Sequence, residues 1–562
     1  MQQILLEMGV KPMHVQIALR RADETHEPLA QIMRDFGFLS GEQVAIAVAR
    51  NINLEYFPIE KLDHIDRQHI KDLKMDTFQR FVPVGRDPQT DRLLVAVPDL
   101  ACTNAAQNTF LREKLRFVVA SEHTIQSVYR KYFAKTELAF DKAVEAFTQS
   151  TRMSRRLDEE DELSSRHMRD VFFALLRHSC YSGASDLYLY RSEYVGIVKL
   201  KINGIGSIFR TVSLELFDRL LTKLVAENVK AEDLRIRPKE SVVEFSAEDK
   251  EANPDITDRF GFRLELTQSR DIRNAVIRIL DKNSSATDLD RLGFDPLTYE
   301  AIARVSRSSV GFFLVTGPTG SGKTTSLYAI LKSIDPVERS IQSIENPIEY
   351  KHGLWQQYEV RKDSTDEGAE YNEWLKALLR NAPDVILVGE VRDKDVANIC
   401  LNAANTGHLV FATLHTNNAV LSLARLKSLE VDQDVLGSVL LGILAQRLIR
   451  TVCQDCCTPD DSEQTRALLK EDYLKGIKFA PVKAGKGCAN CDFTGYRGRR
   501  MIYELLEMTP TVREAIETNK PPSVIASKGM TADRTMYANA LRLVAQGITS
   551  TDELHRVASK ES

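Results

Sequence analysis

The sequence predicts a multidomain α/β protein in which a parallel, doubly wound sheet carries a phosphate-binding loop. Beyond residue 286, helical stretches separate three short apolar segments, VGFFLVTG, DVILVGE and LVFATLH, a pattern typical of parallel strands buried on both faces. The first segment runs directly into the glycine-rich stretch GPTGSGKTT. In such sheets the carboxyl ends of the strands meet at one edge, where ligands bind. We therefore expect the functional residues at this edge.

A length of 562 residues predicts three to four domains, because one core seldom grows so large. Residues 1–133 mix helical periodicity with short β-like runs and predict a small α/β module. Residues 134–168 are highly charged and predict a linker or an exposed helix. Alternating apolar positions in residues 169–285 predict a mostly antiparallel sheet domain. Residues 286–562 are expected to form the nucleotide-binding domain.

The composition is that of an ordinary globular protein, with 43% hydrophobic and 27% charged residues. A net charge of −4 and a pI near 6.3 provide no basic field for nucleic acid. No apolar run reaches the roughly 18 residues that a membrane helix needs, and the first residues lack the pattern of a signal peptide. We expect a cytoplasmic protein without a nucleic-acid partner.

The loop after the first apolar strand matches the phosphate-binding pattern G-x-x-x-x-G-K-[ST]. Its glycines let backbone N–H groups approach phosphates, and the helix that follows adds its dipole. Lys323 offers a positive charge to the β- and γ-phosphates, and Thr324 is expected to hold Mg²⁺. The predicted nucleotide-binding residues are Gly317, Pro318, Thr319, Gly320, Ser321, Gly322, Lys323, Thr324 and Thr325.

Acidic residues follow two of the other predicted strands. Glu390 ends the segment NAPDVILVGE, so its carboxylate is expected beside the phosphate loop, where it can orient the attacking water. Asp384 begins the same strand and is expected to face a loop at the other end. Glu345 and Glu349 lie in SIENPIEY, near the end of a further strand, and are also candidate catalytic residues.

Two histidines bracket the predicted strand in TGHLVFATLHTNNA. His408 and His415 are seven steps apart, which corresponds to about 23 Å in an extended strand, so they cannot both contact one phosphate. By the carboxyl-end rule, His415 is expected to sense the γ-phosphate. His408 is the second candidate, at the opposite end of the strand.

Four of the eight cysteines form two Cys-x-x-Cys pairs, Cys453 with Cys456 and Cys488 with Cys491. In a reducing compartment this spacing predicts a tetrahedral, structural zinc site that closes a long loop. Cys457 follows Cys456 directly and is an alternative ligand. The remaining three cysteines are expected to be buried thiols; they are Cys102, Cys180 and Cys400.

In their order these motifs resemble the secretion ATPases of bacterial type II secretion and type IV pilus assembly. The segments GPTGSGKTT, IENPIEY, GEVRD and TGHLVFATLHT correspond to that family's P-loop, acidic box, Walker B segment and histidine box. The resemblance covers about residues 170–560 and implies a RecA-like ATPase domain with a zinc subdomain at about 450–500. Asn346 departs from the pattern, because the family usually has an aspartate there; Glu345 and Glu349 keep the other carboxylates of the box.

The resemblance also implies roles outside the ATPase domain. Arg263 and Arg278 of the middle domain match positions that reach the γ-phosphate, with Arg270 and Arg273 as nearby alternatives. The N-terminal module resembles more faintly the helical units that in some members bind cyclic di-GMP through an Arg-Leu-Gly opening. That opening is missing here, so docking to an inner-membrane partner is expected instead of cyclic di-GMP binding.

The predicted function is that of a cytoplasmic, Mg²⁺-dependent ATPase that forms a hexameric ring and powers the assembly of pilin-like subunits. Platform and recruitment proteins of a pilus or secretion machine would hold it at the inner membrane. One alternative is the retraction motor of the same superfamily, although such motors usually lack the N-terminal module and the four cysteines. A nucleic-acid translocase is disfavoured by the acidic pI. A scaffold that binds ATP without turnover is disfavoured by Glu390 and His415.

Overall fold

The structure is a computed structural model that describes residues 1–65, 70, 73, 75, 79–133, 136–157, 162–228, 239–268, 273–281, 288–360, 367–488, 491 and 494–558. The chain divides into two compact units, Met1–Ser285 and Ala286–Ser562. Both units mix helices and sheets, which confirms the predicted multidomain α/β fold class. Among the helices within the described ranges, none combines the length and the apolar character that crossing a membrane requires.

The helices of the first unit are α1 (Gln2–Glu7), α2 (Pro12–Thr25), α3 (Leu29–Asp35), α4 (Gly41–Ile52), α5 (Thr103–Thr109), α6 (Glu122–Tyr132), α7 (Thr136–Leu157), α8 (Glu162–Tyr181), α9 (Leu214–Asn228), α10 (Ala247–Ala252) and α11 (Pro254–Thr257). Its strands are β1 (Val82–Arg86), β2 (Leu93–Val97), β3 (Leu115–Val119), β4 (Ala184–Arg191), β5 (Gly196–Ile202), β6 (Ile205–Val212), β7 (Lys239–Val242), β8 (Phe260–Gln268) and β9 (Arg273–Asp281).

The helices of the second unit are α12 (Pro296–Arg307), α13 (Lys323–Lys332), α14 (Glu367–Leu378), α15 (Lys394–Asn405), α16 (Ala419–Ser428), α17 (Gln433–Val439), α18 (Glu463–Leu468), α19 (Pro510–Glu517), α20 (Pro522–Gly529), α21 (Met536–Ala545) and α22 (Thr551–Val557). Its strands are β10 (Gly311–Thr316), β11 (Ile341–Glu345), β12 (Gln356–Glu359), β13 (Val385–Val388), β14 (Leu409–Leu414), β15 (Leu440–Val452), β16 (Thr458–Pro459), β17 (Val482–Lys483) and β18 (Tyr496–Glu507).

The N-terminal part of the first unit contains the predicted α/β module. Helix α4 starts with a capping box, in which the Ser40 hydroxyl accepts the N–H of Gln43 and the Gln43 side chain accepts the N–H of Ser40. Strand β2 pairs antiparallel with β1 and parallel with β3. These three strands pack with α6 around their own apolar core.

Helices α7 and α8 cover most of the segment predicted as a charged linker or exposed helix. Phe140 and Phe147 of α7 are buried in the same core as α8 and the sheet that follows. They are seven residues apart and therefore lie on one face of the helix. The charged residues between them conceal this apolar face in the sequence, so the helix is more buried than the composition suggests.

The middle sheet has the strand order β6-β5-β4-β9-β8-β7, and all its pairings are antiparallel. Its alternating apolar side chains, such as Leu187, Leu189 and Ile277, are buried against α8 and α9. Burial of one face explains the alternation in the sequence, since successive side chains of a strand point to opposite faces.

The sheet of the second unit has the order β12-β11-β13-β14-β10-β15-β18 and is parallel except for β18. Phe312 and Leu314 of β10 belong to one core, whereas Phe313 and Val315 belong to the core on the other face. Both faces are therefore covered, which accounts for the continuous apolar runs in the sequence. Strands β11, β13, β14 and β10 are neighbours, so their carboxyl ends form one continuous edge.

Candidate functional site

The phosphate-binding loop connects β10 to α13 and requires glycine at several positions. Gly320 and Gly322 have φ angles of 77° and 88°, which L-residues rarely adopt. At Gly317 a Cβ atom would lie 2.3 Å from the carbonyl oxygen of Gln446 on β15. The loop therefore has a backbone path that larger residues could not follow, and it leads directly into the first turn of α13.

Lys323, the first residue of α13, folds its side chain back over the loop. Its Nζ donates to the carbonyl oxygen of Gly317 at 2.8 Å and lies 3.3 Å from that of Pro318. Burial lowers the pKa of Lys323 to about 8, against the opposing effect of the carboxylates of Glu390 and Glu349, which raise it. A buried ammonium whose hydrogen bonds within the described part of the chain go to carbonyl oxygens is well suited to pair with an anion.

The remaining polar groups of the loop fit phosphate oxygens as well. The hydroxyl of Ser321 is buried and has no hydrogen-bond partner among the described residues. The side-chain amide of Gln446 donates to the carbonyl oxygen of Ser321 at 2.9 Å and fixes the loop against β15. Thr324 follows Lys323 in the first turn of the helix and is half-buried. A buried, unpartnered hydroxyl at a helix N-terminus fits the binding of a phosphate group.

Glu390 and His415 meet at the same edge of the sheet. Glu390 comes two residues after β13, and His415 follows β14 directly. The Nε2 atom of His415 lies 3.5 Å from Oε1 of Glu390, while the Nε of Arg392 donates to Oε2 at 3.0 Å. Burial and the charge of Lys323 lower the pKa of His415 below its usual 6.5, so the imidazole is neutral at pH 7.

The two carboxylates of the acidic box lie in different environments. Glu345, the last residue of β11, is buried and accepts hydrogen bonds from the hydroxyls of Tyr328 at 2.8 Å and Ser343 at 2.6 Å. Burial raises the pKa of Glu345, although these hydrogen bonds oppose the shift. Glu349 is half-buried, and its charge acts on Lys323. Of the two, Glu349 is the one whose charge acts on Lys323, whereas Glu345 is buried against Tyr328 of α13.

His408 does not join this group. It precedes β14, so it lies at the amino edge of the sheet, opposite the loop that follows β10. Its Nδ1 lies 2.9 Å from the carbonyl oxygen of Ala403. The parallel register of β10 and β14, which pairs Gly311 with Leu409, separates His408 from the phosphate-binding residues.

The two candidate arginines of the middle sheet lie side by side. Arg263 of β8 and Arg278 of β9 are direct cross-strand partners, so their side chains share one face. The Nε of Arg278 donates to Asp186 of β4 at 3.1 Å. The alternative Arg270 lies outside the described residues, as does the side chain of Arg273.

Four cysteine sulfurs converge where β15 ends and shortly before β18 begins. The Sγ atoms of Cys453, Cys456, Cys488 and Cys491 all lie within 4.8 Å of one another. Three of their separations are 3.8 Å, 3.9 Å and 3.8 Å. Thiolates bound 2.3 Å from a tetrahedral ion would be separated by about 3.8 Å. The arrangement fits a tetrahedral metal site.

Cys457, the alternative ligand, lies outside this cluster. Its Sγ is 3.7 Å from the carbonyl oxygen of Gln454. Within the cluster, the backbone N–H groups of Cys488 and Gly495 donate to the sulfur of Cys491, an arrangement that favours the thiolate form of Cys491. Of Cys456 and Cys457, it is therefore Cys456 whose sulfur lies in the cluster.

The sequence reasoning did not single out the residues that hold these loops in place. Gln446 fixes the phosphate loop, and Thr316 contacts the loop that carries His415. Glu504 of β18 is buried and accepts the N–H groups of Ala419 and Met536, the first residues of α16 and α21. Their signal in the sequence is a polar residue within an apolar run, as in LVTG, ILAQRL and IYELL.

Comparisons with known proteins point to one family. The family model described as type II/IV secretion system protein matches residues 161–556. The type IV pilus assembly ATPase PilB of Thermus thermophilus is 30% identical over 490 residues, which are 84% of this chain but only 51% of that protein. The type II secretion system ATPase E of Vibrio cholerae is 33% identical over 398 residues, 69% of this chain and 75% of that protein.

Among solved structures, the ATPase DotB of Legionella pneumophila shares the fold. It aligns with a TM-score of 0.50 at 20% identity and covers 68% of this chain and 94% of its own. The family model alone spans well over half of the sequence and includes the phosphate loop, the histidines and the cysteine cluster. The chain is therefore a member of the type II/IV secretion system protein family.

Proposed function

We propose that the protein is a cytoplasmic, Mg²⁺-dependent ATPase that powers the assembly of a type IV pilus or of the pseudopilus of a type II secretion system. The observation that carries this proposal is the convergence of Lys323, Glu390 and His415 beside a phosphate-binding loop. The names of the relatives, a pilus assembly ATPase and a secretion ATPase, support the choice of process.

Each residue at the edge has a chemical role in this proposal. The loop N–H groups and Lys323 bind the phosphates of ATP, and Thr324 would hold Mg²⁺, which neutralises phosphate charge when bound. Glu390 orients the attacking water through its carboxylate, and the neutral imidazole of His415 senses the γ-phosphate. Glu349 adds a second carboxylate near Lys323. The buried Glu345 holds Tyr328 and thereby supports α13, whereas His408 has no part in hydrolysis within its own subunit.

The test is ATP hydrolysis by the purified full chain with Mg²⁺, with EDTA, and with added DNA. We expect turnover that EDTA abolishes and DNA leaves unchanged; stimulation by DNA would instead indicate a translocase. In cells that lack the protein, surface pili or secretion should be lost and restored by the wild-type gene. An excess of pili in those cells would indicate a retraction motor.

We further propose that the protein acts as a hexameric ring, recruited to the inner membrane by platform and recruitment proteins. In this ring, Arg263 and Arg278 neutralise charge on the γ-phosphate in a closed, reacting state. Their positions as cross-strand partners on β8 and β9 support this role, because they place two arginines on one face of the sheet, where Asp186 pairs with Arg278.

Arg263→Ala is expected to lower kcat at least about tenfold while changing nucleotide affinity little, because a contact made mainly in the reacting state lowers the barrier. Arg278→Lys should behave similarly and leaves a charge near the buried Asp186. Arg191→Ala, which removes an ion pair between the end of β4 and Asp218 of α9, is the matched control. Wild-type kcat in both variants, with activity per chain independent of protein concentration, would contradict the ring mechanism.

We also propose that the cysteine cluster binds one structural zinc ion per chain. Elemental analysis of protein purified without chelator should find about one zinc, and Cys456→Ser should lower that content and the thermal stability of the zinc subdomain. Cys457→Ser is the matched control, since its sulfur lies outside the cluster. Protein without zinc, or zinc lost equally from both variants, would refute this assignment.

A further inference from the structure

A single buried hydroxyl joins the start of the phosphate loop to the loop that carries His415. Thr316 is the last residue of β10, its side chain is fully buried, and Gly317 of the phosphate loop follows it directly. Its Oγ1 accepts the N–H of Thr416 at 3.2 Å. The same oxygen lies 3.1 Å from the carbonyl oxygen of Leu414, and it also contacts the Thr416 hydroxyl. It therefore contacts the residues on both sides of His415.

Among the described residues, the loop from Leu414 to Ala419 is also attached to two other strands and to α16. Arg447 of β15 donates to the carbonyl oxygen of Asn417 at 3.2 Å, and Glu504 of β18 accepts the N–H of Ala419 at 2.9 Å. Both of these strand attachments lie beyond His415 in the chain, whereas the hydroxyl of Ser422 on α16 lies 2.6 Å from that of Thr416. Of these attachments, the Thr316 hydroxyl is the one that contacts residues on both sides of the histidine and comes from the strand that enters the phosphate loop.

We propose that Thr316 is a positioning residue for hydrolysis, which sets the place of His415 relative to Glu390 and the phosphate loop. This inference rests on the proposed ATPase function. A hydroxyl has one proton and two lone pairs, so it can hold the Thr416 N–H while donating to one acceptor of the histidine loop. Because Thr316 is bonded to Gly317, its hydroxyl fixes the histidine loop to the entrance of the phosphate loop.

Thr316→Val removes the hydroxyl at nearly constant volume, and Thr316→Ser retains it. We expect Thr316→Val to lower kcat at least about tenfold with KM for ATP within about threefold of wild type, because a misplaced group reduces the reaction rate more than ground-state binding. Thr316→Ser should restore kcat. Thr316→Ala is a second variant without the hydroxyl and should match Thr316→Val.

Thr465→Val is the matched control, because it also removes a buried hydroxyl, one that contacts Asp460 and Thr551 away from the site. A double-mutant cycle distinguishes positioning from a general loss of stability. If Thr316 acts through His415, then Thr316→Val should have little further effect on kcat in a His415→Ala background.

Three results would overturn the inference. They are wild-type kcat in Thr316→Val, an equal loss in Thr465→Val, or the same fold loss from Thr316→Val with and without His415. An active wild-type protein with any of these results removes only the role of Thr316. A wild-type protein that does not hydrolyse ATP removes the proposed function, and the positioning role with it.

Discussion

Replacing Lys323 with alanine is expected to lower ATP turnover at least about 100-fold, the largest effect of any single substitution considered. The ammonium is buried beside the loop carbonyls and is the positive charge at the start of α13 that, in the proposed function, binds the phosphates. Its loss removes charge stabilisation in the reacting state and a phosphate contact in the bound state. Steady-state hydrolysis and nucleotide binding, measured on the same preparation, give the two effects separately.

The control for this prediction is Lys332→Ala, at the other end of the same helix. Lys332 is half-buried and its Nζ lies 3.8 Å from Asp288, so its removal should lower thermal stability and leave turnover near wild type. Turnover retained in Lys323→Ala, with loss in Lys332→Ala, would contradict the assignment of the phosphate loop.

Glu390→Gln is expected to bind ATP and to hydrolyse it about 100-fold more slowly. The amide keeps the shape of the side chain but loses the negative charge that, in the proposed role of Glu390, orients and activates water. His415 and Arg392 contact the two carboxylate oxygens, so the substitution also alters the charge that these residues face. Trapping of nucleotide by the variant, followed by single-turnover hydrolysis, separates binding from chemistry.

Asp384→Asn is the matched control, because Asp384 directly precedes β13, the strand that leads to Glu390. Its Oδ2 accepts the N–H of Ser340 at 2.7 Å, at the amino edge of the sheet, and an asparagine oxygen can accept the same bond. We expect turnover near wild type. Equal losses in both variants would mean that the charge of Glu390 has no particular role in hydrolysis.

The parts of the site that the sequence predicted depend on short-range patterns. An apolar run, a glycine-rich turn and the start of a helix lie within about 20 residues, so the phosphate loop could be found from the chain alone. The carboxyl-end rule then predicted the edge at which His415 lies and the distance of His408 from it, which the parallel register of β10 and β14 explains.

The parts that could not be predicted depend on contacts between distant segments. Thr316 and Thr416 are 100 residues apart, and no local pattern connects them. The choice between Cys456 and Cys457 depends on how the chain turns after β15, since both residues closely follow the predicted ligand Cys453 in the sequence. The burial of Glu345 depends on Tyr328, 17 residues earlier, whose hydroxyl reaches it only in the folded sheet.

The central position of β10 has a consequence for how the protein is made. The strand that leads into the phosphate loop pairs with β14 on one side and with β15 on the other, and both are synthesised about 100 residues or more later. A nascent chain that ends before β15 leaves an apolar strand with an open edge, which is prone to pair with other chains. Fragments truncated before Leu440 should therefore aggregate during expression, and the nucleotide site can form only late in translation.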